Sequence, residues 1–210
     1  MLTLTNKTSK ITFVGVNLGA NNVSETAVAI MDRDLNIITL NKLYTMQDIR
    51  YFFDTLTGKK ECMVAISIPD NEIMISSKWK YLSRTYHPVN LNSSIKNVDD
   101  WADRFSPRGS EYFAELNQNG LDIVRCDMDN LKKNLGLCYS FRDRTPVDCK
   151  TLQITLRSKL NIQNLPSNML PVSQLEAILC AYLSHSIILG EENQDYRVLY
   201  DYCNMKVYGI

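Results

Sequence analysis

The chain has 210 residues, 45% hydrophobic and 22% charged, a composition that supports a packed core and excludes an intrinsically disordered chain. Lysine plus arginine equals aspartate plus glutamate at 23 each, so no global positive field draws the protein to nucleic acid, and any such contact rests on a local patch. The six cysteines are scattered, with no C-x-x-C pair and no histidine at zinc-ligand spacing, which points to free thiols in a reducing compartment.

Residues 1–9 are polar and read as a flexible tail, and residues 10–210 as a single domain. The N-terminal stretch lacks the apolar centre of a signal peptide, and no later run approaches 18 consecutive apolar residues. The expectation is a soluble, cytoplasmic protein with no membrane partner. Residues 11–16 (ITFVGV) are apolar at nearly every position, as a central strand buried on both faces would be. Residues 25–31 (ETAVAIM) give a second strand, Asp32, Arg33 and Asp34 a turn, and residues 36–40 a third strand. Thr45 is placed to cap a helix with Asp48 in its first turn, Ile49, Phe52, Phe53 and Leu56 recur at helical spacing, and Gly58 is the stop. Residues 62–68 (CMVAISI) are a short apolar run halted by Pro69 and Asp70, the profile of a buried strand parallel to the first. This β-β-β-α-β start predicts an α/β fold with a mixed central sheet flanked by helices.

Residues 71–97 have no clear period and read as a long loop with room for one short helix. Helices are expected over 99–105 and 110–118, a strand over 121–126, and helices over 127–135 and 146–160, the last with Val147, Leu152, Leu156 and Leu160 in partial helical spacing. The clearest helix runs over 173–189. Ser173-x-x-Glu176 has the form of a capping box, Leu175, Ile178, Leu179, Tyr182 and Leu183 form the buried stripe, and Gly190 is the terminator. The tyrosine-rich segment 196–210 adds a strand or hairpin; its tyrosines suit an interface or packing on the domain's own sheet, and both readings stand.

Three stretches in this order carry a resemblance: FVGVN (13–17) with AVAIMD behind it, VAISIP (64–69) and LEAILCAY (175–182). They resemble the motifs of an uncharacterised family of predicted ribonuclease-H-like nucleases, in which a G-V-D first strand is followed by patterns of the type V-A-I-D-x-P and D-A-L-x-C-A. The resemblance spans roughly residues 11–190 and implies a ribonuclease-H-like fold. It also implies two-metal phosphodiester hydrolysis, with Mg²⁺ or Mn²⁺ ions about 4 Å apart held by carboxylates from the first strand, the parallel strand beside it and a helix. Carried over residue by residue, the site positions are Asn17, Ser67 and Glu176. Asn17 and Ser67 stand where the pattern has aspartate, and neutral ligands do not offset the charge of a second divalent ion.

Asp70, just beyond the parallel strand, is the candidate substitute, so Glu176 and Asp70 are the metal-ligand candidates; Asp32 lies near the far end of the second strand. Each position also has a plain structural reading. Glu176 completes the capping box, Asn17 shapes the turn toward Gly19, Ser67 is a small core filler and Asp70 is a turn residue. Arg142 and Arg144, near Lys132, Lys133 and Lys150, and Lys78 and Lys80 beside Arg84, are phosphate-binding candidates, with Trp79, Tyr81 and Tyr86 as stacking faces; a solvated charged face is the competing reading. His87 and His185 have no cysteine or serine motif beside them, so nucleophilic catalysis has little support.

The expected function is a ribonuclease-H-like protein with a degenerate metal site, acting as a non-catalytic or attenuated binding or scaffold protein for a protein or nucleic-acid partner. The alternative is an active divalent-metal-dependent nuclease using Glu176, Asp70 and neutral ligands. A third reading, phosphate binding by GVNLGANN as in the actin and sugar-kinase branch, needs two lobes, for which 210 residues are too few.

Overall fold

A run of apolar residues without polar interruption makes the first strand a central one, and the rest of the sheet is built outward from it. The computed structural model describes residues 11–18, 25–56, 62–67, 121–137, 145–189, 197–202 and 205–209. In chain order these form β1 (Thr12–Asn17), β2 (Thr26–Met31), β3 (Ile37–Leu43), α1 (Met46–Asp54), β4 (Cys62–Ser67), β5 (Asp122–Cys126), α2 (Met128–Asn134), α3 (Pro146–Lys159), α4 (Val172–Leu189), β6 (Arg197–Tyr202) and β7 (Met205–Gly209). The sheet runs β3-β2-β1-β4-β5, continued by β7 and β6. β2 is antiparallel to both β1 and β3, whereas β1, β4 and β5 are parallel neighbours. The chain is therefore α/β with a mixed sheet, in the expected β-β-β-α-β order. The expected helices at 99–105 and 110–118 and the loop at 71–97 lie outside the described residues.

Alternation along β1 divides the core between the two faces of the sheet. Val14 and Val16 point to the face covered by α1 and pack with Ile49, Phe53 and Leu56. Phe13 and its same-face neighbours Ala29, Ala65 and Val124 point to the face covered by α4, with Leu131 of α2 and Leu152 and Leu156 of α3 in the same cluster. The capping prediction for α1 holds: the Asp48 amide donates to Thr45 Oγ1 at 3.1 Å, and the Thr45 amide donates to Asp48 Oδ2 at 3.1 Å. The third strand is longer than its apolar pattern indicates, reaching Leu43, because as an edge strand only part of it is buried. In α3 the inward residues are Cys149, Leu152, Gln153 and Leu156, while Val147, which shares the partial apolar spacing, is exposed. Thr145 is the N-cap, so Val147 falls in the first turn on the outer side.

α4 is long and apolar enough to cross a membrane by length and composition, yet it lies on the sheet, antiparallel to β1. Its seat is made of small residues. A Cβ at Gly15 would overlap the Ala177 carbonyl oxygen and the Ala181 amide nitrogen and lie 2.9 Å from the Cys180 carbonyl carbon, so glycine is required where helix backbone meets strand backbone. The buried Ser184 hydroxyl lies 3.0 Å from the Val14 carbonyl oxygen and 3.2 Å from that of Cys180, a polar link between helix and strand. His185 ties the other end: its Nε2 is 2.9 Å from the Arg33 carbonyl oxygen and its ring meets Phe13 edge-on.

The segment entering α4 is organised by one buried amide. Gln153 Nε2 donates to the carbonyls of Pro166 and Asn168 at 2.7 and 2.9 Å, and Gln153 Oε1 accepts from the Leu170 amide at 3.1 Å. Three backbone groups that have no helical or strand partner are thereby satisfied, which fixes where α4 begins.

Candidate functional site

The parallel strands β1, β4 and β5 end on one edge of the sheet, and the register makes Asn17, Ser67 and Cys126 neighbours across it. They share the α4 face. α4, antiparallel to β1, brings its first turns over this edge, and its Glu176 reaches Asn17: the Asn17 amide Nδ2 donates to Glu176 Oε2. Two of the three positions carried over from the sequence resemblance thus touch, and the third, Ser67, is the strand neighbour of Asn17. Asn17 and Ser67 are both buried, and the Leu18 amide donates to the Ser67 carbonyl at 3.1 Å, which binds the two strand ends together.

A fourth residue completes the group. Lys132 of α2 places its Nζ 2.6 Å from Glu176 Oε1, with the lysine side chain 4% exposed and the glutamate side chain 20% exposed. α2 is anchored for this by Asp127, which follows β5 directly and accepts the Asn130 amide at 2.9 Å as N-cap. Lys132 therefore belongs to the interior and not to the phosphate-gripping basic surface in which the sequence reading grouped it. The signal was present: Met128, Leu131 and Leu135 recur at helical spacing, and Lys132 falls on the same stripe. A lysine on an apolar stripe requires a buried acceptor.

Glu176 also departs from its capping-box reading. α4 starts at Val172, the Gln174 and Leu175 amides donate to the Pro171 carbonyl at 3.1 and 3.2 Å, and Ser173 lies inside the first turn. The Ser173 hydroxyl donates instead to Glu25 Oε1, and the Glu176 carboxylate is held by Asn17 and Lys132. Both supposed capping partners are used for contacts across the fold.

Glu25 is a second carboxylate at this edge, unnoticed in the sequence, and it too has a lysine: Lys42 Nζ lies 2.8 Å from Glu25 Oε2. Partial burial pushes the Glu25 carboxyl up, but hydrogen bonds from Lys42 and Ser173 and the Lys42 charge outweigh it and hold the group below its usual range. A depressed carboxyl contributes stability above its unfolded pKa, about 4.3, and loses it as pH falls through the lower folded value. Glu25→Gln is accordingly expected to cost under about 1 kcal/mol at neutral pH, since the pair is partly exposed. It should also flatten the acid side of a urea-midpoint profile below about pH 4.5; an unchanged acid limb would show that Glu25 is not tied down in solution.

Asp32 is remote from this edge. Met31 pairs with Phe13, so Asp32 follows β2 at the opposite end of the sheet, where its carboxylate accepts the Asp34 and Asn36 amides at 2.9 Å each and shapes the β2–β3 turn. It is a turn residue and not a substitute ligand. Asp70, Lys78, Lys80, Arg142, Arg144 and His87 lie outside the described residues.

Cys126, in the strand row with Ser67, adjoins Cys180 of α4. The hydrogen bond with Cys180 and complete burial push the Cys126 thiol well above the usual range, which disfavours the nucleophilic thiolate. Cys62, Cys126, Cys149 and Cys180 are free thiols, all buried.

The described donors at the three carried-over positions are few in charge. One amide, one hydroxyl and one carboxylate supply a single negative charge, and the 2.6 Å ammonium contact already satisfies that charge. Among the described residues, no group of three or more histidine, cysteine, aspartate or glutamate side chains is arranged to hold a metal.

Fold and site together define an α/β protein with a neutralised polar cluster at the carboxyl ends of its parallel strands, the edge at which open α/β sheets bind ligands. No protein-family model matches the chain, and no curated protein matches it.

Proposed function

We propose that the chain is a ribonuclease-H-like protein whose metal site has been replaced by an internal ion-pair cluster, and that it works by binding or scaffolding, not by hydrolysis. The observation that supports this most is the engagement of Glu176, the one carboxylate among the three carried-over positions, by Lys132 and Asn17. The arrangement of elements agrees with the reading: the three positions fall on the first strand, the parallel strand beside it and a late helix. Two-metal hydrolysis needs several anionic oxygens converging on two divalent ions, and Asn17 and Ser67 provide none. The partner is a protein or a nucleic acid held through the surface in a cytoplasmic setting, with Mg²⁺ or Mn²⁺ having no part in the contact.

Cleavage of labelled single-stranded, duplex and branched oligonucleotides with Mg²⁺ or Mn²⁺ tests this reading. No cleavage above buffer is expected, and the result should be the same for wild type and Glu176→Ala. Metal-dependent cleavage that disappears in Glu176→Ala would establish the alternative, an active nuclease that completes its site through Asp70.

A further inference from the structure

The position of Lys132 says more than that a metal site is incomplete. Resting on the degenerate-site reading above, we propose that the Lys132 ammonium is the resident cation of this site: it stands in the ligand sphere of Glu176 and does the structural work a divalent ion would do there. A bound cation at such an edge draws the strand ends and the helix together through shared oxygens. Here Glu176 provides both oxygens of that bridge, Oε1 to the ammonium from α2 and Oε2 to the Asn17 amide from β1. One carboxylate thus joins α4, α2 and β1.

The other acids of this edge follow the same pattern. Glu25 is matched by Lys42 and by the Ser173 hydroxyl, and Asp127 takes a backbone amide of its own helix. Among the described residues each of these acids is satisfied from within the chain. Lys132 is also poorly placed to leave. Its side chain is 4% exposed, and α2 is set by the Asp127 cap immediately after β5, so the ammonium is held beside Glu176 by the placement of its helix. An incoming divalent ion would meet a like charge within the first coordination distance of its best ligand.

It follows that restoring the acids alone does not restore metal binding. Asn17→Asp with Ser67→Asp adds two carboxylates around an ammonium that already neutralises part of them, whereas adding Lys132→Met removes the competing cation. Mn²⁺ titration by calorimetry separates these cases. The triple variant is expected to bind Mn²⁺ at least tenfold more tightly than the double variant, and to gain thermal stability when Mn²⁺ is added. Equal binding by double and triple variants would overturn the assignment of Lys132 while leaving the degenerate-site reading intact. Saturable Mn²⁺ binding and cleavage by the wild type would overturn that reading itself. If the triple variant folds poorly without metal, Lys132→Gln replaces Lys132→Met and folding is followed by circular dichroism with and without Mn²⁺. Failure of Mn²⁺ to restore structure to either form also overturns the proposal.

Discussion

Gly15→Ala is expected to be strongly damaging for so conservative a substitution, costing at least about 3 kcal/mol or preventing accumulation of the folded chain. The added methyl group would occupy space held by the backbone of Ala177, Cys180 and Ala181, and backbone cannot rotate away as a side chain can. α4 would have to lift from β1, and with it would move Leu175, Ile178, Leu179 and Leu183, all fully buried. The lifting would also separate Glu176 from Asn17, since the two are joined across the same helix–strand contact. Urea unfolding of wild type and variant reads the effect. An unaltered midpoint would mean that α4 is not seated on β1 as described.

The second large effect concerns the ion pair, and the two partners are expected to differ. Glu176→Gln removes the anion 2.6 Å from the ammonium of a lysine that is 4% exposed, whereas Lys132→Met leaves a carboxylate that is 20% exposed and can take water. Breaking a buried pair costs about 3–5 kcal/mol when the remaining charge is fully enclosed, and less where it can be hydrated. Glu176→Gln should therefore cost about 3 kcal/mol and Lys132→Met about 1–2 kcal/mol, the methionine also retaining most of the stem packing. The combination should cost less than the sum, because both changes remove the same interaction. A double-mutant cycle in urea gives the coupling directly. Additive losses would mean that the two side chains do not interact in solution.

Much of the fold could be read from local pattern. The uninterrupted apolar run of β1 and the short run of β4 predict two buried parallel strands, and these are observed as neighbours in register. Thr45 with Asp48 predicts a capped helix because both partners lie within one turn, and the cap is present. The same local rule fails at Ser173 and Glu176. Their actual partners, Glu25, Asn17 and Lys132, lie 148, 159 and 44 residues away in sequence, and no local rule weighs such contacts against a cap. Val147 shows a related limit: its apolar character fits the partial helical spacing, but the start of the helix at Thr145 turns it outward.

The candidate site was legible as positions and not as chemistry. Resemblance to known motifs selected Asn17, Ser67 and Glu176, and the sheet brings their elements to one edge. The partner that gives the site its character, Lys132, was hidden in a basic-looking segment, although its place on the stripe of Met128, Leu131 and Leu135 marks it as buried. Glu25 offered no comparable signal, since an acid just before a strand is ordinarily solvated. Gln153 was likewise invisible, because a glutamine within a helix does not reveal that it will satisfy a distant loop.

Calorimetric titration of the wild-type protein with Mn²⁺ bears most directly on the central claim that an ammonium has taken the metal's place beside Glu176. The account predicts no saturable heat in the wild type and none in Glu176→Ala. Saturable binding by the wild type that is lost in Glu176→Ala would contradict it, because the carboxylate would then be holding a metal and not Lys132.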